Sequence, residues 1–264
     1  MTDILISDRA QLLPALDSGR AEALTLDAIC YHSRQDLISE LSDDINKIKD
    51  RGAKTRFAMP YIFRKETEEY YGSIWEELQE IRPDGLLVRN YDELGFLDGK
   101  GYPKKQIFLD HYLYNMSERS ADAFRDMGYE NLTLSCELSS KELKHRKLPG
   151  MEIIVYGRAV LMISANCVKR TMQGCDAMPG VSFITDRMKK EFPVMNVCSD
   201  CYNLVLNADV LDITEQIIST DESLRRRYHF TTESADEVGA VLTQERWMFS
   251  KMTFTGGHYK RGVE

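Results

Sequence analysis

Residues 85–109, GLLVRNYDELGFLDGKGYPKKQIFL, decide the fold class: an apolar run (Gly85-Leu86-Leu87-Val88), a polar and amphipathic stretch from Tyr91 to Leu97, and a second apolar run (Gln106-Ile107-Phe108-Leu109). Short apolar runs alternating with amphipathic segments are the signature of βα units on a parallel sheet. The same rhythm extends in both directions. Ile4-Leu5-Ile6, Ala23-Leu24-Thr25-Leu26 and Thr55-Arg56-Phe57-Ala58-Met59 precede it, and Asn131-Leu132-Thr133-Leu134 and Glu152-Ile153-Ile154-Val155 follow. Helices are expected between them. Leu37, Ile38, Leu41, Ile45 and Ile48 mark one face over Gln35 to Asp50, Glu66 to Ile81 ends at Arg82-Pro83, and Ser117 to Met127 forms another. Ser139 with Glu142 reads as a capping box opening a helix to Arg146.

Seven strands are one short of a closed barrel, and a single α/β barrel commonly runs to about 250 residues. The expected fold is therefore an α/β, TIM-type (β/α)8-like barrel forming one domain over residues 1–264 of the 264-residue chain. After the seventh strand the pattern changes to loops and short β segments. A cysteine-rich insertion is expected over about 162–201, including a hairpin of Ser182 to Arg187 and Glu191 to Met195. Tyr202 to Leu206 is read as the missing barrel strand, with helices at Leu211 to Ser219 and Ser234 to Ser250 and a basic, Gly-rich tail over 253–264.

The chain carries 34 Lys and Arg against 42 Asp and Glu, a formal net charge of −8. A broad positive field for gripping nucleic acid is absent, so any RNA contact must fall on a restricted patch such as the tail. No signal-peptide pattern and no run long enough to span a bilayer is visible, which reads as a soluble cytoplasmic protein without a membrane partner. In that compartment six cysteines are not a disulfide framework.

Four of them lie within 35 residues: Cys167, Cys175, Cys198 and Cys201. The Cys198-x2-Cys201 pair has the bite of a metal chelate, and soft thiolates without neighbouring histidine favour zinc or an iron–sulfur cluster. Spacing alone does not separate those two, and buried, unligated cysteines are the plain alternative. Cys30 and Cys136 read as packing residues. At the C-terminal ends of barrel strands, where barrel chemistry sits, His111 is the expected general base, with Glu137 and Arg158 as further catalytic groups and Arg89 and Asn90 as substrate-binding groups. A satisfied histidine and surface ion pairs are the structural alternatives. His258 and Arg261 in the tail are placed to meet substrate phosphate. Trp75 and Trp247 read as core.

Several segments resemble the collagenase-like peptidase family U32, and more closely the C-terminal barrel of its larger bacterial members. These are Asp110-His111-Tyr112-Leu113-Tyr114-Asn115-Met116-Ser117, Ser135-Cys136-Glu137-Leu138-Ser139 with Glu142, and Tyr156-Gly157-Arg158 with Leu161-Met162. Asp186-Arg187 with Phe192-Pro193-Val194, and the close from Thr253 through Gly257-His258-Tyr259-Lys260-Arg261-Gly262-Val263, complete the series. The resemblance implies a TIM-type barrel with a 4Fe-4S cluster on the four cysteines, structural zinc being the alternative. It implies oxygen-independent hydroxylation or modification, with RNA the favoured substrate. A collagenase-like peptidase is the second reading, although neither G-x-S-x-G nor H-E-x-x-H is present. The third is a non-catalytic barrel docking a catalytic partner. Because the resemblance is to one barrel of a larger protein, it implies a second barrel protein of the family, or a homodimer, as partner.

Overall fold

The structure, a computed structural model, describes residues 1–145, 150–218, 224–244 and 252–261. It is a mixed α/β fold built on a curled, largely parallel sheet of ten strands. The seven expected strands are present as β1 (Thr2–Ile6), β2 (Ala23–Asp27), β3 (Lys54–Ala58), β4 (Gly85–Val88), β5 (Ile107–Leu109), β6 (Asn131–Leu132) and β7 (Glu152–Gly157). A second, antiparallel sheet follows in the chain, with β8 (Val160–Ser164), β9 (Gly180–Thr185), β10 (Glu191–Val197) and β11 (Tyr202–Leu206) in the order β8-β11-β10-β9. The chain then returns to the first sheet through β12 (Val210–Asp212), β13 (Arg225–Phe230) and β14 (Phe254–Thr255).

Tyr202 to Leu206 is thus not a strand of the large sheet. It pairs with β8 and β10. The parallel strand between β7 and β1 is β13, with Arg227 opposite Ile154 and Asp3. Glu66 to Ile81 is two helices, Lys65–Ser73 and Trp75–Ile81, meeting at Ile74. Trp75 is buried in the core, whereas Trp247 lies outside the described residues. The helix from Leu37 to Asp50 buries Leu37, Leu41, Ile45 and Ile48, and the capping box of Ser139 and Glu142 is formed.

Along the parallel strands, alternate residues face opposite sides. Ile4, Ile6, Leu24, Leu26, Phe57, Leu86, Val88, Ile107 and Leu109 form the core beneath the helices. The other face is concave, and the sheet curls until Thr133, just past β6, makes an isolated parallel bridge to Glu152 of β7. This inner face carries a small apolar group, Leu5, Ala58, Leu87 and Phe108, among buried charges. Asp3 pairs with Arg56, whose Nη1 is also 3.2 Å from Glu152 Oε2. Glu152 Oε1 is 3.3 Å from Arg227 Nε, and Arg227 in turn pairs with Asp110. Asp110 Oδ2 accepts from Arg89 Nε at 3.3 Å, and Arg89 forks onto Asp27 at 2.5 and 3.1 Å. A single line of ion pairs therefore runs Asp3–Arg56–Glu152–Arg227–Asp110–Arg89–Asp27 across the concave face.

The second sheet docks on the C-terminal ends of these strands. Met195, Val197, Tyr202, Leu204 and Leu206 pack with Ile29, which follows β2, and Tyr61, which follows β3; Tyr112, after β5, joins at the margin. Among the described residues no helix is long and apolar enough to cross a membrane.

Removing one partner from a buried ion pair leaves the other charge desolvated, which costs about 3–5 kcal/mol. Arg227→Met takes one of two arginine partners from both Asp110 and Glu152 and is expected to lower the urea-unfolding free energy by about that amount. Arg51→Met, which breaks an exposed pair with Asp17, is expected to change it by less than about 1 kcal/mol.

Candidate functional site

The C-terminal side of the strands holds, among other cavities, two of different chemistry. In the first, all four clustered cysteines line one space of about 120 Å³, together with Arg170, Asn196 and Tyr202 and apolar side chains. Three separate segments supply them. Cys167 caps the helix Val168–Gln173, its Sγ accepting the Arg170 N–H at 3.4 Å. Cys175 lies past the end of that helix, in a loop held by the ion pair of Lys169 with Asp176 at 2.6 Å. Cys198 and Cys201 bracket the turn between β10 and β11, and Cys201 takes the left-handed conformation at φ +52°.

That turn is fastened to the body of the protein through Asp200. Its Oδ1 accepts from Arg34 Nη2 at 2.7 Å, and the Arg34 guanidinium lies over the Tyr70 ring. Burial, together with the nearby thiols of Cys167 and Cys175, pushes the Cys198 thiol up. Among the described residues, no three His, Cys, Asp or Glu side chains converge as placed on a single metal ion. Cys30 and Cys136 stand apart from the group, and the buried Cys30 thiol donates to the Ile6 carbonyl.

The second cavity is smaller, about 20 Å³, and is lined by His111, Tyr112, Cys136, Gly157, Arg158 and His229 with apolar neighbours. His111 follows β5 in a tight turn whose first N–H is accepted by Asp110 Oδ1 at 2.8 Å. Its ring lies 3.9 Å from that of Tyr112. Burial lowers its pKa to about 4; Asp110 opposes the shift, while Arg227 and Arg89 add to it. His229, on β13 two residues beyond Arg227, is driven far below the usual imidazole range by burial and by the same two arginines. Asp110 shows the opposite balance: burial would raise it, but Arg227, His111 and Arg89 outweigh burial and hold it well below the usual carboxylate range. Gly157, at φ +141°, brings β7 against β13 here, where a Cβ would collide with the His229 carbonyl.

The sequence-derived residues divide accordingly. His111 and Arg158 meet in this second cavity, where Arg158 Nη1 donates to the carbonyls of Asn207, at 2.9 Å, and Ala208. Glu137 is next to the lining residue Cys136 but is not part of the wall; its N–H donates to Ser135 Oγ. Arg89 is fully engaged beneath the rim by Asp27, Asp110 and the Met59 carbonyl, with its guanidinium over Tyr61. It offers no open fork for an anion. Asn90 caps the helix Tyr91–Gly99 through its Oδ1 and the Glu93 N–H. His258 and Arg261 share a turn in the tail, which runs beside the second cavity: β14 pairs with β12, and Gly257 approaches the lining residue Leu211. Residues 262–264 lie outside the described residues. His229, Tyr61 and Tyr202 were not legible as site residues. A period-2 reading from Arg227 would have placed His229 on the inner face.

A protein-family model described as Peptidase family U32 matches residues 31–251. No curated protein sequence matches the chain. Among solved structures, that of the U32 peptidase Mk0906 superposes with a TM-score of 0.42 at 15% identity, over 59% of this chain and 68% of that one.

The low pKa of His111 has a measurable consequence. Between about pH 6.5 and 4 the unfolded chain binds a proton at this residue that the folded chain refuses, so stability falls as the pH drops through that window. The His111 imidazole resonance should titrate with a midpoint near 4. Urea unfolding of His111→Gln should lose part of the acid sensitivity of the parent protein; a midpoint above 6 contradicts the assignment.

Proposed function

The chain belongs to peptidase family U32, and from that premise we propose that it is an iron–sulfur enzyme, or a subunit of one, serving an oxygen-independent hydroxylation or related modification, with RNA the favoured substrate. In this reading the curled sheet is a TIM-type barrel and β8 to β11 its insertion. The observation that carries the proposal is the meeting of Cys167, Cys175, Cys198 and Cys201, from three separate segments, around one cavity at the strand ends.

The donor set fits a 4Fe-4S cluster. It is all thiol, with no histidine or carboxylate in the wall, and thiolates that each bind a different iron stand farther apart than four around one tetrahedral zinc. A bound cluster would supply electron transfer or a site for an intermediate. The chain's own residues do the rest. The Arg170 N–H holds the Cys167 sulfur, and Arg34 holds Asp200 and with it the Cys198–Cys201 turn. Arg158 and the two neutral imidazoles of His111 and His229 offer hydrogen bonds to substrate at the neighbouring cavity.

Peptide hydrolysis has less support. A thiol nucleophile must be ionised to attack, and burial pushes the Cys136 thiol up to about 12 although two imidazoles share its cavity.

Protein purified without oxygen should contain about four iron and four sulfide per chain, with broad visible absorption. Cys198→Ser should lose most of both. Colourless protein with one zinc per chain would overturn the redox part of this reading.

A further inference from the structure

At the other end of the strands from the cysteines lies a cavity of about 280 Å³ that the preceding reading does not use. β1 and β13 run parallel with Thr2 opposite Arg226, and both residues line it, so it sits at the N-terminal ends of these strands. By strand alternation Arg226 and Tyr228 point away from the inner face that Arg227 occupies, toward the layer of helices. Arg20 comes to the wall from the loop after the helix Leu12–Asp17, Glu215 from the helix Thr214–Ile218, and Gln244 from the end of the helix Ala235–Thr243.

The arginines of this wall are unspent. Among the described residues neither the Arg20 nor the Arg226 guanidinium meets an acceptor, and Arg226 Nε is buried without a partner. The Tyr228 hydroxyl, on a residue 8% exposed, has no partner among the described residues either. The acidic groups behind the wall are engaged elsewhere. Glu22 Oε1 accepts the Thr2 N–H at 3.0 Å, and Asp212 Oδ1 accepts the Thr214 N–H and hydroxyl at 3.1 and 2.7 Å. In the wall itself, among the described residues, the exposed Glu215 is the one carboxylate.

Two guanidiniums and a phenol thus have hydrogens to donate, and the planar N–H fork of arginine matches an oxyanion. A carboxylate brings one charge and two oxygens, enough for one fork. A phosphate monoester brings a charge of about −1.5 to −2 at pH 7 and three accepting oxygens, enough for both. The volume lies just under the roughly 300 Å³ at which pockets for drug-sized ligands begin, so the rest of the ligand is small. Glu215 faces that part: it accepts from a hydroxyl and repels a second anionic group.

We propose that this cavity binds the phosphate monoester of a small hydroxylated molecule, with its phosphate on Arg20 and Arg226 and a hydroxyl on Glu215. The site is separate from the cysteines and does not depend on what they hold.

Isothermal titration calorimetry at constant ionic strength, with ribose 5-phosphate as the probe, tests this. Ribose 5-phosphate should bind saturably, inorganic phosphate should compete with it more weakly, and ribose and dimethyl phosphate should not bind. Arg226→Gln should weaken ribose 5-phosphate by about tenfold or more, as expected for loss of a charge-assisted contact. Arg20→Gln should do the same, and because Arg20 lies in a surface loop the core is left intact. Arg187→Gln removes the same charge from the exposed turn between β9 and β10 and should leave the affinity unchanged. Glu215→Gln should weaken ribose 5-phosphate but not inorganic phosphate. No saturable binding, an affinity that survives both wall substitutions, an equal loss in Arg187→Gln, or dimethyl phosphate binding as well as the monoester would overturn the proposal and leave two solvated arginines. Binding retained in Cys198→Ser supports the inference whatever the iron content, and no binding in iron-loaded protein overturns it while leaving the cysteine reading in place.

Discussion

The line of ion pairs from Asp3 to Asp27 is the constraint on which the rest of the molecule depends. Seven ionisable side chains from seven strands or strand ends meet on the concave face of one sheet, where a charge alone would be strongly destabilising; at the end of the line, burial and the neighbouring Glu152 push the Asp3 carboxyl up to about 7. They are tolerable only because every charge has an opposite neighbour. Curling the sheet brings those neighbours together. Glu152 illustrates the dependence: burial would raise its pKa, but Arg227 and Arg56 outweigh burial and keep it ionised. Such networks contribute little net stability relative to an apolar core. Their effect is on geometry, because a strand out of register would strand a charge.

The second sheet rests on the rim that this network fixes. Its apolar side, Val197, Tyr202, Leu204 and Leu206, meets Ile29 and Tyr61, and the Tyr61 N–H reaches the Tyr202 hydroxyl. Tyr202 also lines the cysteine cavity, and Tyr61 packs edge-on against Tyr112 of the smaller cavity. The two sites are therefore neighbours through one aromatic contact chain. The cysteines occupy the sheet added on top, and the histidines the sheet beneath.

How far the sequence reveals this follows from which residues face which side. The outer faces of β1 to β7 are apolar and were legible from alternation alone. β13 was not, because Arg225-Arg226-Arg227 has the look of a solvated segment until an ionic interior is known to exist. Tyr202 to Leu206 misled in the opposite direction: all five residues are buried, as in a central parallel strand, but the burial comes from docking onto the rim. Cysteine spacing pointed to a common site, and the four do share one cavity. Arg89 was correctly placed at a strand end, yet a linear sequence does not say that Asp27 and Asp110 converge there and occupy its donors. His229 was hidden with its strand.

One joint in the curled sheet differs from the others. β6 is two residues long, and beyond it a single isolated bridge, Thr133 to Glu152, with the Leu134 N–H on the Glu152 carbonyl, connects to β7. Between β2 and β3, by contrast, five paired positions share the load. The β6–β7 joint is thus a seam held by that bridge and by the Thr133 hydroxyl, which donates to Glu152 Oε1 at 3.3 Å. Amide exchange by local opening begins where backbone bonds are fewest. Cys136 and Gly157, which border the smaller cavity, lie at the two lips of this seam, so the wall of that cavity is closed where the backbone ladder of the sheet is thinnest.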